Sequence, residues 1–246
     1  MRSAAYDRGP LPRPVMPTLP DRFQALVIGG GGAIGSAFAD SLRADGRCGQ
    51  VLTLGRGTLP AIDYLREDTL AEAAQALRSH SPFHLIVVAT GVLHTASAQP
   101  EKRLADLSMS AMEEVFRLNT FGPALVLRHF APLLDRQCSV MALLSAKVGS
   151  IGDNRLGGWY SYRASKAALN MLVRTAAIEQ RRTHPGAVVV ALHPGTVKSG
   201  LSRPFRGDEI GRDPFEATAQ MLQVLESLGP ADSGGFWAYD GQSLPW

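Results

Sequence analysis

A tyrosine and a lysine lie four residues apart in a segment whose apolar pattern is helical. Tyr162 and Lys166 stand near the start of residues 161–182, and side chains four apart project from one face of a helix. A tyrosine with its ordinary pKa of about 10 exchanges protons poorly at neutral pH, but a neighbouring ammonium stabilises the phenolate and lowers that pKa. The pair therefore indicates either a general acid, protonating a carbonyl oxygen while a hydride reaches the carbon, or a solvated helix face.

A glycine-rich segment upstream of this pair could hold the phosphates of a nucleotide. Residues 29–35 follow an apolar run at 25–28 and open a helical pattern. Glycines let the backbone turn tightly and approach a pyrophosphate, which binds the amides of the helix N-terminus. This strand-and-helix context favours dinucleotide binding over a tight connection without a ligand. The predicted phosphate-binding residues are Gly29, Gly32, Ala33, Ile34 and Gly35.

A residue just beyond the end of the second predicted strand indicates which of two dinucleotides would bind. A carboxylate there would accept hydrogen bonds from the adenosine ribose and repel a 2′-phosphate. This chain has Arg56 instead, whose guanidinium could bind that phosphate through two parallel hydrogen bonds. Arg56 therefore favours NADP(H) over NAD(H), although an exposed surface arginine is the plainer alternative.

Short apolar runs that alternate with longer helical stretches must position these groups. Such strands, each followed by a helix, are typical of a parallel sheet covered on both faces. We therefore expect a doubly wound, Rossmann-type α/β fold of about seven strands. The predicted strands are residues 24–28, 50–54, 85–89, 140–144, 187–192 and 236–239, with a weak one near 61–63; the predicted helices are 34–44, 70–79, 111–134, 161–182 and 214–228.

The composition of the 246-residue chain fits one folded domain with a short leader. Hydrophobic residues make up 45% and charged residues 19%, as in ordinary globular proteins. Residues 1–20 contain prolines at 10, 12, 14, 17 and 20 and little periodicity, which predicts a flexible leader. A wrongly assigned start or an arm that packs on a partner are the alternatives. Residues 21–246 are expected to form the single domain.

Several other classes of protein are not favoured by the sequence. The net charge is only +3, and no run of Lys and Arg is interleaved with aromatics, so we expect no nucleic-acid partner. The apolar runs are too short to span a bilayer and no secretory segment is evident, so the cytoplasm is the expected compartment. Two cysteines and no Cys-x-x-Cys indicate reduced thiols and no metal site.

Together these motifs resemble the short-chain dehydrogenase/reductase superfamily, and within it the bacterial C-factor-like branch. Matching segments are residues 89–94, 148–151, 162–170, 193–197 and 235–246, and the resemblance extends from about residue 23 to residue 246. It implies an NAD(P)(H)-dependent oxidoreductase that interconverts a carbonyl and an alcohol. The resemblance implies that Tyr162 is the acid/base and that Lys166 is its partner, which also hydrogen-bonds the nicotinamide ribose.

The resemblance also implies roles for residues that the motifs alone do not assign. Asn119 matches a helix asparagine that holds a water between the lysine and solvent, and Asp63 matches an acid that binds the adenine amino group. A helix-surface amide and a plain loop aspartate are the alternatives. The other implied cofactor contacts are Ala89, Thr90 and Gly91 beside the adenine, and Pro194, Gly195 and Val197 at the nicotinamide carboxamide.

The serine that binds the substrate carbonyl in this family has no direct counterpart here. Counting back from Gly149, its position falls on Ala146. A one-residue shift at the strand end would let the neighbouring Ser145 donate to the developing negative charge, and we expect Ser145 to fill the role. Adjacent residues on a strand face opposite ways, so in the family's register Ser145 would point away, leaving a weak enzyme or another donor.

The resemblance leaves the substrate and one alternative function open. Trp159 and His94 are expected walls of the substrate pocket, with plain packing as the alternative for each. Residues 198–213 are expected to form an apolar lid, with an exposed loop as the alternative. A small carbonyl or alcohol is the expected substrate, and a homodimer or homotetramer the expected assembly. C-factor-like proteins are associated with intercellular signalling, so a dinucleotide-binding signalling or regulatory protein with little or no turnover is the alternative.

Overall fold

The structure is a computed structural model that describes residues 19–95 and 97–246. Within these ranges six strands form one parallel sheet in the order β2-β1-β3-β4-β5-β6. The strands are β1 (Phe23–Ile28), β2 (Cys48–Leu54), β3 (Leu85–Val88), β4 (Ser139–Leu144), β5 (Ala187–His193) and β6 (Phe236–Ala238). The predicted parallel, doubly wound architecture is confirmed.

Helices cover both faces of the sheet. The α-helices in the described ranges are α1 (Ala33–Ala44), α2 (Glu67–Ala76), α3 (Met109–Phe116), α4 (Gly122–Phe130), α5 (Tyr160–Gln180), α6 (Gly207–Ile210) and α7 (Pro214–Ser227). Apolar side chains of α2, α4 and α5 form one buried cluster with the sheet, and those of α1 and α7 form another on the opposite face. The strands are therefore buried on both sides, which explains their continuous apolar sequence.

Strand β4 shows how the alternation of side chains orients the site. Leu143 belongs to the cluster on the α5 face, and its neighbour Leu144 to the cluster on the α1 and α7 face. Because successive side chains on a strand alternate, Ser145 is directed to the α5 face. The chain order also reverses between β1 and β3, and ligands of such sheets bind at the carboxyl ends of the strands beside this reversal.

The weak strand predicted near residues 61–63 is wrong, since that segment does not join the sheet. Its backbone donors are used locally: Ile62 N donates to Gly55 O at 3.1 Å, and Asp63 N donates to Thr69 Oγ1 at 2.9 Å. Asp63 forms only an isolated antiparallel bridge with Arg66. Because these amides already have local acceptors, they are not available for hydrogen bonds with β2.

The long helix predicted at residues 111–134 is interrupted in the structure. Between α3 and α4 lies a π-helical turn (Arg117–Phe121), and after α4 a 3₁₀ turn (Ala131–Leu133). Single π turns inside helices are frequent at functional sites. This one contains Asn119.

The predicted leader lies almost entirely outside the described residues. Of residues 1–20, only Leu19 and Pro20 fall within them, and Leu19 is buried in the cluster on the α1 and α7 face. The domain boundary at residue 21 stays a prediction. None of the helices in residues 19–95 and 97–246 combines the length and apolarity needed to cross a membrane.

Candidate active site

A cavity of about 290 Å³ opens at the carboxyl edge of the sheet. Its wall combines the start of α5 with the loops that follow β3, β4 and β5, which are distant in sequence. Parallel strands end at a common edge, so these loops meet there. The predicted site residues in the wall are Ile34, Ala89, Thr90, Gly91, Ser145, Tyr162, Lys166, Pro194, Gly195 and Val197.

The glycine-rich turn lies between β1 and α1, beside this cavity. Gly29 has φ +90°, which favours glycine, and a side chain on Gly35 would collide with the carbonyl oxygen of Gly29. The N-cap residue Gly32 gives α1 no side-chain cap, and a Cβ built on Gly31 would have no neighbour within 4 Å. The uncapped start of α1 and the open space beside Gly31 fit the pyrophosphate of a dinucleotide.

Two predicted adenosine contacts lie outside the cavity wall. Arg56 is exposed two residues beyond β2, and it forms no ion pair with any residue in the described ranges. Asp63 is half-buried, and its Oδ1 accepts a hydrogen bond from Leu65 N at 2.9 Å. Both side chains keep polar atoms that a ligand could bind.

Lys166 is buried at the back of the cavity. Its Nζ donates to the carbonyl oxygen of Leu144 at 2.9 Å, and burial lowers its pKa from 10.5 to about 8. Gly91 leaves room for it, because a Cβ there would lie 3.2 Å from Nζ and 3.3 Å from Asn119 Oδ1. The lysine is therefore held against the end of β4 in the cavity wall.

Tyr162 has a pKa shifted opposite to the sequence expectation. Burial raises it from 10.0 to about 12, whereas the neighbouring ammonium was expected to lower it. Lys166 Nζ lies 6.0 Å from the centre of the tyrosine ring and is bound to Leu144, so in this structure burial outweighs the attraction of the charge. The phenol therefore keeps its proton at neutral pH.

Asn119 connects the loop after β3 to the catalytic helix candidate α5. It is fully buried in the π-helical turn; its Oδ1 accepts from Val92 N at 2.8 Å, and its Nδ2 donates to Val92 O at 2.8 Å and to Ser165 Oγ at 3.1 Å. Ser165 Oγ donates in turn to the carbonyl oxygen of Tyr162 at 2.8 Å. The predicted water beside Asn119 stays a prediction.

Ser145 is directed toward α5 and lines the same cavity as Tyr162. Its Oγ donates to Asn170 Oδ1 at 2.6 Å, and within the described ranges it forms no hydrogen bond with Tyr162. Asn170 Nδ2 has no partner there. The adjacent Ala146 also lines the cavity but offers no donor. The role predicted for Ser145 stays a prediction.

Aromatic rings close the substrate side of the cavity. The ring of Trp159 lies 6.2 Å from that of Tyr162 and 5.4 Å from that of Phe205, and the ring of His94 lies 5.9 Å from Phe205. Phe205 belongs to the predicted lid, which contributes other apolar side chains to the wall. Of the two expected walls, Trp159 lines the cavity, whereas His94 does not and instead contacts the lining residue Phe205.

Two further residues of the site were not predicted from the sequence. His193, at the end of β5, lines the cavity; burial lowers its pKa to about 4, and its Nδ1 has no partner in the described ranges. Glu101, in the loop before α3, is buried against the start of α5. A single acidic residue in a loop carries no periodic signal, so only the folded structure reveals its position.

Comparisons with known proteins identify the family of the chain. A family model described as enoyl-(acyl carrier protein) reductase matches residues 40–235. The 1-hydroxy-2-glutathionyl-2-methyl-3-butene dehydrogenase of Rhodococcus sp. (strain AD45) is 30% identical over 187 residues, which cover 76% of this chain and 79% of that protein. C-signal of Myxococcus xanthus is 37% identical over 145 residues, or 58% of this chain and 83% of that protein.

A solved structure with the same fold also has a bound cofactor. The NADPH-bound carbonyl reductase from chicken fatty liver superposes with a TM-score of 0.76 and is 25% identical. The match covers 93% of this chain and 100% of that one. The two chains therefore share the fold over nearly their whole length.

Proposed function

Because the chain belongs to the short-chain dehydrogenase/reductase superfamily and is an NAD(P)-dependent oxidoreductase, we propose that it interconverts a small carbonyl compound and its alcohol with NADP(H). Tyr162 is the general acid/base of this proposal. The observation that carries it is the shared cavity wall, in which Tyr162 and Lys166 lie beside the loops after β3 and β5. A phenol and an ammonium at that edge suit proton transfer to a carbonyl oxygen.

The cofactor site of this proposal is formed by the predicted residues. The turn at residues 29–35 holds the pyrophosphate at the start of α1, and Arg56 holds the 2′-phosphate that distinguishes NADP(H) from NAD(H). When bound, the cofactor supplies the hydride. The remaining proposed contacts are Asp63, Ala89, Thr90 and Gly91 on the adenine side and Pro194, Gly195 and Val197 on the nicotinamide side.

The side chains of the protein supply the proton. With a pKa of about 12, Tyr162 holds its proton at neutral pH and gives it to the substrate oxygen as negative charge develops there. The phenolate left behind is stabilised by the ammonium of Lys166. Asn119 connects this pair to the loop after β3 and, in this proposal, binds a water through which the proton is replaced.

Ser145 is the proposed second donor to the substrate oxygen. Its hydroxyl donates to Asn170 Oδ1, so it must turn from that acceptor to the carbonyl during the reaction. Removing one such donor costs about 100- to 1000-fold in kcat when the donor is fully used. We expect a smaller loss, about 10-fold, for Ser145→Ala, because the hydroxyl has a competing partner.

The experiment that tests the proposal is NADPH oxidation against a panel of aldehydes and quinones. We expect Tyr162→Phe to lower kcat at least about 100-fold, while NADPH binding measured by fluorescence is unchanged. Tyr160→Phe is the matched control, since Tyr160 is on the same helix and outside the cavity wall. Equal rates for wild type and Tyr162→Phe would overturn the proposal.

The preference for NADP(H) is tested separately at Arg56. An arginine–phosphate pair is worth about 1.5–3 kcal/mol, so Arg56→Ala should raise the KM for NADPH about 10- to 100-fold and leave that for NADH nearly unchanged. A variant that loses both cofactors equally would place Arg56 outside the phosphate site.

Three observations favour a second candidate function, a dinucleotide-binding regulatory protein with little turnover. The alanine at the serine position and the engagement of Ser145 with Asn170 weaken the case for fast catalysis, and C-signal of Myxococcus xanthus is among the similar proteins. NADPH binding without turnover of any carbonyl, unchanged by Tyr162→Phe, would favour this candidate.

A homodimer or homotetramer completes the proposal. Phe121 at the end of the π turn, and Met171 and Ile178 on α5, are exposed by 53%, 66% and 50%. Met171 and Ile178 are seven residues apart and share one face of α5. Light scattering should give twice or four times the chain mass, and Met171→Glu should lower it.

A further inference from the structure

Helix α5 carries the proposed catalytic pair but has no cap of its own. Its N-cap residue, Trp159, makes no side-chain cap and has a left-handed backbone with φ 54°, a conformation that a bulky residue rarely adopts unless its surroundings impose it. The first amides of a helix need acceptors. At α5 the acceptors come from Glu101, in the loop between β3 and α3.

Glu101 contacts the first turn of α5 with both its backbone and its side chain. Its carbonyl oxygen accepts from Trp159 N, its Oε2 accepts from Ser161 N at 3.1 Å, and its Oε1 accepts from Ser161 Oγ. The residue is only 4% exposed, and no ion pair in the described ranges includes its carboxylate. The amides at the helix N-terminus and the serine hydroxyl are what stabilise this buried charge.

We propose that Glu101 is a positioning residue for the proton donor Tyr162. Ser161, which the carboxylate holds, directly precedes Tyr162, and Trp159, which the carbonyl holds, lies against the tyrosine ring. Glu101 therefore fixes the first turn of α5, and with it the phenol and the aromatic wall of the cavity. The inference rests on the proposed function for its kinetic reading, but the geometry it describes can be measured without turnover.

A positioning role for Glu101 has consequences that differ from those of a contact that only stabilises the fold. The glycine-rich turn, proposed to hold the cofactor phosphates, lies between β1 and α1 and makes no hydrogen bond to Glu101 among those of the described residues. Loss of the carboxylate should therefore displace Tyr162 while leaving the phosphate site intact. A purely structural role would lower stability and leave kcat of the folded protein unchanged.

The kinetic test compares Glu101→Ala, Glu101→Gln and a control. We expect kcat of E101A to fall about 10-fold or more, since a displacement of about 1 Å can cost about 100-fold, with the Kd for NADPH unchanged. E101Q keeps acceptor oxygen and should recover most of the rate. Asp135→Ala is the control: Asp135 accepts from Gln137 N and Cys138 N just before β4, at the opposite edge of the sheet, so it should alter stability only.

The second readout is the emission of Trp159, one of three tryptophans in the chain. With Trp237 and Trp246 replaced by Phe, E101A should shift the emission and E101Q should not. Should E101A fail to fold, Glu101→Asp, whose carboxylate is shorter by one carbon, should show the same shift and loss of rate. Wild-type kcat and emission in E101A, or parallel loss of kcat and stability in E101A and D135A, would overturn the proposal. If no carbonyl is turned over, the proposed function fails and the emission still decides the position of α5.

Discussion

Helices α5 and α7 lie on opposite faces of the same sheet, and they begin in different ways. Helix α7 is capped by its own Asp213, whose Oδ1 accepts from the amides of Phe215 and Glu216, and Pro214 occupies its first position. Helix α5 begins at a left-handed tryptophan, and a carboxylate from a distant loop accepts its amide. The start of α7 is therefore determined by its local sequence, whereas the start of α5 depends on a contact that forms only in the folded protein.

The two helices also bury different side chains. Helix α7 buries apolar residues such as Met221, Leu222 and Leu225, while α5 buries Lys166 and Asn170 near its cavity end. Polar burial stabilises a fold less than apolar burial of the same size. We infer that α7 contributes mainly stability, and that the first half of α5 is constrained by the groups it must hold at the cavity.

The largest expected effect comes from removing the buried ammonium of α5. Lys166→Met keeps the shape of the side chain but removes the charge proposed to stabilise the Tyr162 phenolate, so kcat/KM should fall about 1000-fold. The urea midpoint should not fall, because an apolar side chain replaces a buried charge. Steady-state kinetics and urea unfolding of one preparation check both parts. A large loss of stability without loss of rate would show that Lys166 contributes to stability rather than to the reaction.

Truncation of a buried apolar side chain on α7 should have the opposite effect, lowering stability while leaving kcat unchanged. Leu225 is fully buried in the cluster with β-strands and α1, so Leu225→Ala should lower the free energy of unfolding by about 3 kcal/mol. The kcat of the protein that remains folded should match the wild type. Denaturant titration and active-site-normalised kinetics measure the two quantities, and a reduced kcat would show that α7 is coupled to the cavity.

The cap of α7 provides the next smaller effect. Asp213→Ala removes the acceptor for two backbone amides and should lower the free energy of unfolding by about 1 kcal/mol. Thermal unfolding followed by circular dichroism measures it, and Asp213→Asn, which keeps an acceptor oxygen, is the matched control. No difference between the two variants would mean that Pro214 alone fixes the start of α7.

The last expected effect is a pH dependence that originates on α7. Burial raises the pKa of Glu226 from 4.5 to about 7, although Arg47 lies 3.9 Å away. Between these values the unfolded chain releases the proton and the folded chain keeps it, so the free energy of unfolding falls as pH rises through that window. Below pH 4.5 and above pH 7 the contribution is constant.

Glu226→Gln removes this titration. The stability of the variant relative to wild type should increase from pH 4.5 to pH 7 and then level off. Thermal midpoints of both proteins across that range measure the difference. A difference that does not change with pH would show that Glu226 keeps its ordinary pKa.

The same contrast explains how far the sequence alone predicts the molecule. Each of the six predicted strands ends within two residues of the observed one, because apolar runs buried on both faces leave a strong local signal. The predicted limits of α7 agree with Pro214–Ser227 for the same reason, as Asp-Pro and the apolar period are local. The weak strand at 61–63 fails because Thr69 and Gly55 satisfy its amides, and spacing does not encode those contacts.

The candidate site is predicted less completely than the fold. Motif residues such as Tyr162 and Lys166 were found because their spacing is fixed within one helix, and they do line one cavity. The direction of the pKa shift of Tyr162 was not predicted correctly, because it depends on how deeply the folded protein buries the phenol. Glu101 and the π turn at Asn119 depend on contacts between distant segments, which no local pattern reports.

We propose that the cavity at Tyr162 receives the nicotinamide of a dinucleotide whose phosphates bind the turn at residues 29–35. A crystal structure of the protein with NADP⁺ tests it most directly. We expect the nicotinamide ring against Tyr162 and Lys166, with Arg56 at the 2′-phosphate. A dinucleotide bound elsewhere, or a nicotinamide remote from Tyr162, would contradict it.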